Sequence, residues 1–253
     1  MKNKFYYITA ALLFFCSTMH AQQFIDKAVI EYEVKTNIKK TMSNDSWGEM
    51  LKENMPEFQT SYYNFTFADN KSIYQFNRWD EKMPQFMKQR TPENIWYYDF
   101  DAAKFTAQKD IAGSKFVIAD SIANINWKIT NESRQIAGFN CRKAVGIIMD
   151  SVYVFAFYTD EITIPGGPVS VNGLPGMILG LTIPRLYTSF VATKVSLSGV
   201  NATAIKPVTA KKPYTNSSFK SYMTDKSKDW YRWGDDEEEK KRLKNLELWS
   251  IYL

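Results

Sequence analysis

The sequence predicts a mainly β protein: one strongly curved antiparallel sheet, a bowl or partly open barrel, with a short helix after the first strand and a C-terminal helix. Three observations predict it. Apolar and polar residues alternate with a period of two through most of the chain, as half-solvated strands require. Turn residues separate these runs at short intervals, the mark of an all-β sheet that curls. Aromatics are abundant, 17 Phe, 15 Tyr and 7 Trp in 253 residues, and they favour strands and the walls of apolar sites.

The first strand is "KAVIEYEVKTNIK", where Ile30, Tyr32 and Val34 point one way and Glu31, Glu33 and Lys35 the other. The period then changes. In "SNDSWGEMLKENM", Trp47, Met50, Leu51 and Met55 recur at helical spacing, and Ser43 to Ser46 offer caps, so a short helix is expected. Two hairpins follow, turning at Asp69-Asn70 and around Asp101 to Ala103 between aromatic runs. Further strands are expected at "KFVIAD", "NWKIT" and "RQIAGFNCRKAVGIIM", with a tight turn or bulge at Gly138. "SVYVFAFYTDEI" is nearly continuous apolar sequence and predicts a strand covered on both faces.

Past "LYTSFVATKVSLSG", which still alternates, the stretch "NATAIKPVTAKKPYTNSSF" is polar with two prolines and reads as strand fragments and loop. The end, "DDEEEKKRLKNLELWSIYL", has acids first and bases after them, matching the helix macrodipole. Leu243, Leu246, Trp249 and Leu253 give that helix one apolar stripe to lay on the sheet.

Residues 1–21 read as a signal peptide: Lys2 and Lys4, then the apolar "FYYITAALLFF", then "MHA" before Gln22. The apolar run is too short to span a bilayer, and Phe15 before Cys16 disfavours a lipid anchor. A single domain is expected over 22–253, exported to the periplasm or the cell surface and not membrane-spanning. Removing 1–21 takes away the only histidine, His20, and one of the two cysteines, Cys16. The remaining chain has no Ser-His-Asp or Cys-His pair, no histidine-containing metal site and no internal disulfide. Two of the 32 basic residues leave as well, so 30 stand against 27 acidic ones, a net of +3 that gives no reason to expect nucleic acid.

The least ordinary stretch is "NGLPGMILGL". Leu174-Pro175-Gly176 carries the pattern of a type II turn, proline fixing its own φ and glycine accepting a positive one. Gly173 adds backbone freedom, and Met177 and Ile178 begin a buried strand. No Walker pattern or G-x-G-x-x-G is present, so a phosphate loop is not expected.

With "WKIT" at Trp127 to Thr130, "RQIAGFNCRKA" at Arg134 to Ala144, "AFYTDEI" at Ala156 to Ile162, "GGP" at Gly166 to Pro168 and "GLPGMI" at Gly173 to Ile178, the chain resembles the GLPGLI family of exported proteins from Bacteroidetes-type bacteria. The resemblance runs from about residue 27 to beyond residue 190. Phe139 and Phe157 depart from its Tyr and Trp, and Thr163-Ile164 intervene before Pro165. The resemblance implies a β-rich exported protein without an assigned reaction. A curved-sheet domain related in fold stands at the front of some bacterial glycan-releasing enzymes as their accessory part.

Candidate sites follow from chemistry. Tyr63, Phe65, Tyr74, Phe76, Trp96 and Tyr98 are expected to line the concave face and to bind an apolar small molecule, lipid or peptide. Gly173, Leu174, Pro175, Gly176, Met177 and Ile178 are expected to be structural. Cys141, with no histidine to activate it, reads as a small buried hydrophobe. Met83 and Met87 read as core filling. No catalytic residue, metal or cofactor is expected. The functional expectation is a non-catalytic binding or carrier module of the cell envelope. Its competitors are a carboxylate-based hydrolase or the accessory domain of one, and a structural partner of an outer-membrane complex.

Overall fold

Alternation becomes eleven strands, and their order determines the shape. A computed structural model describes residues 24–89, 91–231 and 236–253. The expected signal segment lies outside the described residues. The strands are β1 (Ala28–Asn37), β2 (Phe58–Ala68), β3 (Lys71–Trp79), β4 (Ile95–Asp99), β5 (Lys104–Ile111), β6 (Ser114–Ser121), β7 (Lys128–Ile136), β8 (Phe139–Ile148), β9 (Val152–Thr159), β10 (Met177–Ile183) and β11 (Thr188–Ser196). They form one antiparallel sheet in the order β6-β5-β4-β3-β2-β1-β11-β10-β9-β8-β7. Two meanders are thus joined through β1 and β11.

This order requires curvature. β6 and β7 are the opposite edges of the sheet, yet only residues 122–127 connect them. Ten strand spacings laid flat would separate the edges by roughly 48 Å, while that linker reaches about 25 Å fully extended. The edges therefore approach without pairing, and the sheet is a bowl that stays open. Bulges at Glu31/Tyr32, Tyr62/Tyr63, Ile178/Gly180 and Ile129/Ser133 supply local bending.

Register fixes which side chains face inward. Ile30, Phe65, Tyr74, Trp96, Ala107 and Ile118 are successive cross-strand partners from β1 to β6, and all are buried. Val34, Phe190, Leu181, Ala156 and Ala144 continue an inward row through the other half. The Asp69-Asn70 turn forms as expected, both residues at positive φ, and Gly138 turns the β7–β8 hairpin at φ +90°.

Among the described residues, beside a single helical turn at Ile38–Thr41, three longer helices pack around the sheet: α1 (Ser46–Asn54), α2 (Asn216–Lys226) and α3 (Glu237–Tyr252). α1 stands where it is expected, capped by Asp45, which accepts from the Gly48 amide. Its apolar stripe does not pack on the sheet, however: Trp47, Met50 and Leu51 are exposed. Gly48 in its first turn lies against the Ser43 carbonyl just upstream, where a Cβ would come within 2.1 Å. α2 corrects the reading of the polar stretch, which runs as loop to Tyr214, bridges Ile118, and then turns helical at a Thr215/Ser218 capping box. Phe219 and Met223, one turn apart, anchor it beside Ile118 and Leu248. α3 forms as expected, with Asp236 accepting from the Glu238 and Glu239 amides and Leu246 and Leu253 buried in the main core. Among the described residues no helix is long and apolar enough to cross a membrane.

Candidate functional site

The β9–β10 connection, residues 160–176, folds into the bowl instead of around it. Ile162, Ile164, Val169, Val171 and Leu174 are all buried. Glycine makes the entry possible: at Gly166 a Cβ would lie 2.6 Å from the Phe65 ring. Backbone bonds hold the segment, Gly173 N to Pro165 O at 3.0 Å and Ile178 N to Gly166 O at 2.9 Å. Side chains hold it from outside: the Tyr98 hydroxyl donates to Val169 O and Trp127 Nε1 donates to Asn172 O, each at 3.0 Å. The segment is a plug.

"GLPGMI" closes this plug. Gly173 and Gly176 both take positive φ, +89° and +139°. The expected type II turn does not form. The Gly176 amide donates to Leu174 O at 2.7 Å, a three-residue turn around Pro175, and the Met177 amide goes instead to Ile162 O at 3.0 Å. The β9 end is so close that a Cβ on Gly176 would stand 2.0 Å from Thr159 O. Leu174, Met177 and Ile178 are buried, and the Ile178 carbonyl accepts from the Tyr32 hydroxyl at 2.5 Å.

Two cavities border the plug. The larger, about 700 Å³, lies between the inner faces of β1 to β5, strand β11 and helix α3. Tyr63, Tyr74 and Trp96 form its aromatic wall. The first two rings are stacked at 5.1 Å and 13°, and Tyr74 meets Trp96 at 5.5 Å and 59°. Val169 of the plug and Leu246, Ser250 and Leu253 of the C-terminal segment face them. The smaller, about 390 Å³, is lined by Trp96, Tyr98, Phe105 and Ile118 on one side and Ile147 to Asp150 on the other, so strands from both halves of the sheet meet across it.

Of the six aromatics expected to bind, Tyr63, Tyr74 and Trp96 share the larger cavity, and Trp96 and Tyr98 border the smaller. Phe65 and Phe76 border neither. Phe65 is fully buried under the plug at Gly166, and Phe76 spends its ring edge-on to Tyr63 at 5.5 Å. Burial pushes the Tyr63 phenol up to about 12 and raises Tyr74 well above the ordinary value, so both are neutral donors. The Tyr74 hydroxyl is buried and finds no hydrogen-bond partner among the described residues.

Lys109 is the residue that sequence reading missed. It follows Phe105 and Ala107 at every second position of β5 and therefore faces inward, 6% exposed, its ammonium 4.3 Å from the Trp96 ring centre. It borders both cavities, and desolvation lowers its pKa to about 7. The alternation in "FTAQK" carried this signal. The carboxylates on the larger cavity are Asp110, which accepts from Gly113 N at 3.1 Å, and Glu247, which accepts from the Tyr231 hydroxyl at 2.5 Å. Among the described residues no group of three or more His, Cys, Asp or Glu could hold a metal ion. Cys141 is buried, its thiol pushed up to about 11 by burial, and Met83 Sδ accepts from Thr60 N at 3.3 Å.

Residues 77–223, more than half of the chain, match the protein family described as "N-glycanase peptide, N-terminal domain". The chain belongs to the N-glycanase N-terminal domain family. Its match spans β4 to β11 with the plug and both cavity walls contributed by those strands. No curated protein matches the chain. Two crystal structures of PNGF-II, in different space groups, are similar to it. One has a TM-score of 0.52 at 14% identity over 78% of this chain and 32% of that one. The other has 0.50 at 14% identity over 75% and 30%. This member of the N-glycanase N-terminal domain family thus spans about a third of those structures. At that identity the likeness is one of fold.

Proposed function

We propose that the chain is a non-catalytic binding module that holds an apolar or ring-bearing ligand in the larger cavity, as an accessory domain in the chemistry its family name describes. The observation that carries this reading is the Tyr63, Tyr74 and Trp96 wall facing a cavity of about 700 Å³, the size of a small-molecule site. Aromatic faces of this kind pack on acyl chains, on peptide side chains or on the apolar faces of sugar rings. The GLPGLI resemblance and the basic-then-apolar N-terminus support an exported protein of the periplasm or cell surface.

A carboxylate-based hydrolase is the competing reading, and it would have to use Asp110 and Glu247, the two acids on this wall. Both already serve as hydrogen-bond acceptors in the fold. Docking to an outer-membrane partner would use the exposed Trp47, Met50 and Leu51 of α1.

A neutral apolar dye tests the binding reading. Nile red fluorescence should rise on the folded protein and should be abolished in Ser250→Trp, which fills the cavity from its helical wall. Absence of dye binding, or equal binding by Ser250→Trp, rejects it.

A further inference from the structure

Lys109 is an expensive residue to keep where it is. Lysine ordinarily snorkels its ammonium to water, and other lysines of the sheet do so at the surface, Lys71 with Asp99 and Lys143 with Glu132. Lys109 is instead buried, 6% exposed, and turned over Trp96. Among the described residues no carboxylate lies within ion-pair distance of it, although Asp110 and Glu247 border the same cavity. A desolvated cation is stable only when paired or neutral, and the indole face offsets just part of the cost. Rings and aliphatics stand beside it, and the polar side chains on the same cavity, Thr36, Gln59, Asn94, Thr188 and Ser250 among them, are neutral apart from the two acids.

We infer that the ligand of the larger cavity carries a carboxylate, which pairs with the Lys109 ammonium while its apolar or ring body packs on Tyr63, Tyr74 and Trp96. The inference rests on the binding reading above and names the chemistry that site selects. The depressed lysine fits this role, because an arriving anion restores the charge that burial suppresses. A fatty acid and an acidic sugar share the required chemistry.

Calorimetric titration of the full chain separates these cases. Octanoate is compared with octanol, and glucuronate with glucose, on wild type, Lys109→Met and Lys109→Arg. In one of the two pairs the acid should bind about tenfold or more tightly than its neutral counterpart, as a charged hydrogen bond implies. The pair that shows it identifies the acyl or the sugar source. Lys109→Met should lose the preference and Lys109→Arg should keep it. Equal binding of acid and neutral probe overturns the inference and leaves the cavity reading intact. Binding by none of the four overturns both. A preference that survives in a folded Lys109→Met protein also overturns it, and the wild-type comparison decides alone if that variant does not fold.

Discussion

The Tyr98 hydroxyl donates to the Val169 carbonyl at 3.0 Å, tying the fourth strand to the tip of the plug. Val169 sits at φ +52°, a left-handed conformation that a β-branched residue adopts only when its surroundings enforce it. Tyr98 is part of that enforcement. Tyr98→Phe should leave a buried carbonyl without its donor and cost about 1–3 kcal/mol in urea unfolding. Hydrogen exchange should rise at Val171 and Gly173, whose amides bond within the plug. Unchanged exchange there would show that the plug stands without this tie.

Gly176 and Gly138 both have positive φ but differ in surroundings. A Cβ added to Gly138 would meet nothing within 4 Å, whereas one added to Gly176 would stand 2.0 Å from Thr159 O. Gly138→Ala should therefore cost only its backbone strain, about 1–2 kcal/mol. Gly176→Ala should cost clearly more, because backbone must move as well. Parallel denaturant curves on the two variants check the order.

Lys109 makes stability depend on pH in a defined direction. Desolvation holds it at about 7 in the folded chain against 10.5 ordinarily. Between those values the unfolded chain carries the extra proton, so stability rises with pH, and below about 7 this contribution no longer changes. Cys141, raised from 9.0 to about 11 by burial, acts in the opposite sense above pH 9, as the buried tyrosines do above 10. Asp110, Glu247, Tyr63, Tyr74 and Tyr231 face the same cavity, and Asp150 and Lys220 the smaller one. The clean window is pH 7 to 9, where stability should climb by about 2 kcal/mol. Lys109→Met should be flat there and no less stable at pH 7.

Cys141 should be inert in the native state. Its thiol is fully buried and its pKa is raised, so the thiolate is scarce and out of reach. A thiol-specific chromogenic reagent should label it only at the rate of unfolding. Rapid stoichiometric labelling of folded protein would contradict the packing.

Much of this architecture was legible because its signals are local. The strands follow the alternation, the Asp69-Asn70 turn follows its residues, and α3 follows its charge order and leucine stripe. What escaped was non-local. No pattern in residues 122–127 announces that they join opposite edges of the sheet, and nothing in "TIPGGPVSVNGLPG" shows that it enters the bowl. Helix α2 escaped because just Phe219 and Met223 mark its buried side. Trp47, Met50 and Leu51 gave the correct period and no information about cover. The aromatic site was half readable: strand parity put Tyr63, Phe65, Tyr74, Phe76, Trp96 and Tyr98 on one face, but the plug decided which of them would border space.

Native mass spectrometry of the full chain, purified from the cells that make it and never exposed to organic solvent, tests the binding module most directly. Wild type should carry a bound non-covalent mass that is missing from Ser250→Trp. Protein that carries no added mass, or the same mass on both chains, would contradict a binding role for the larger cavity.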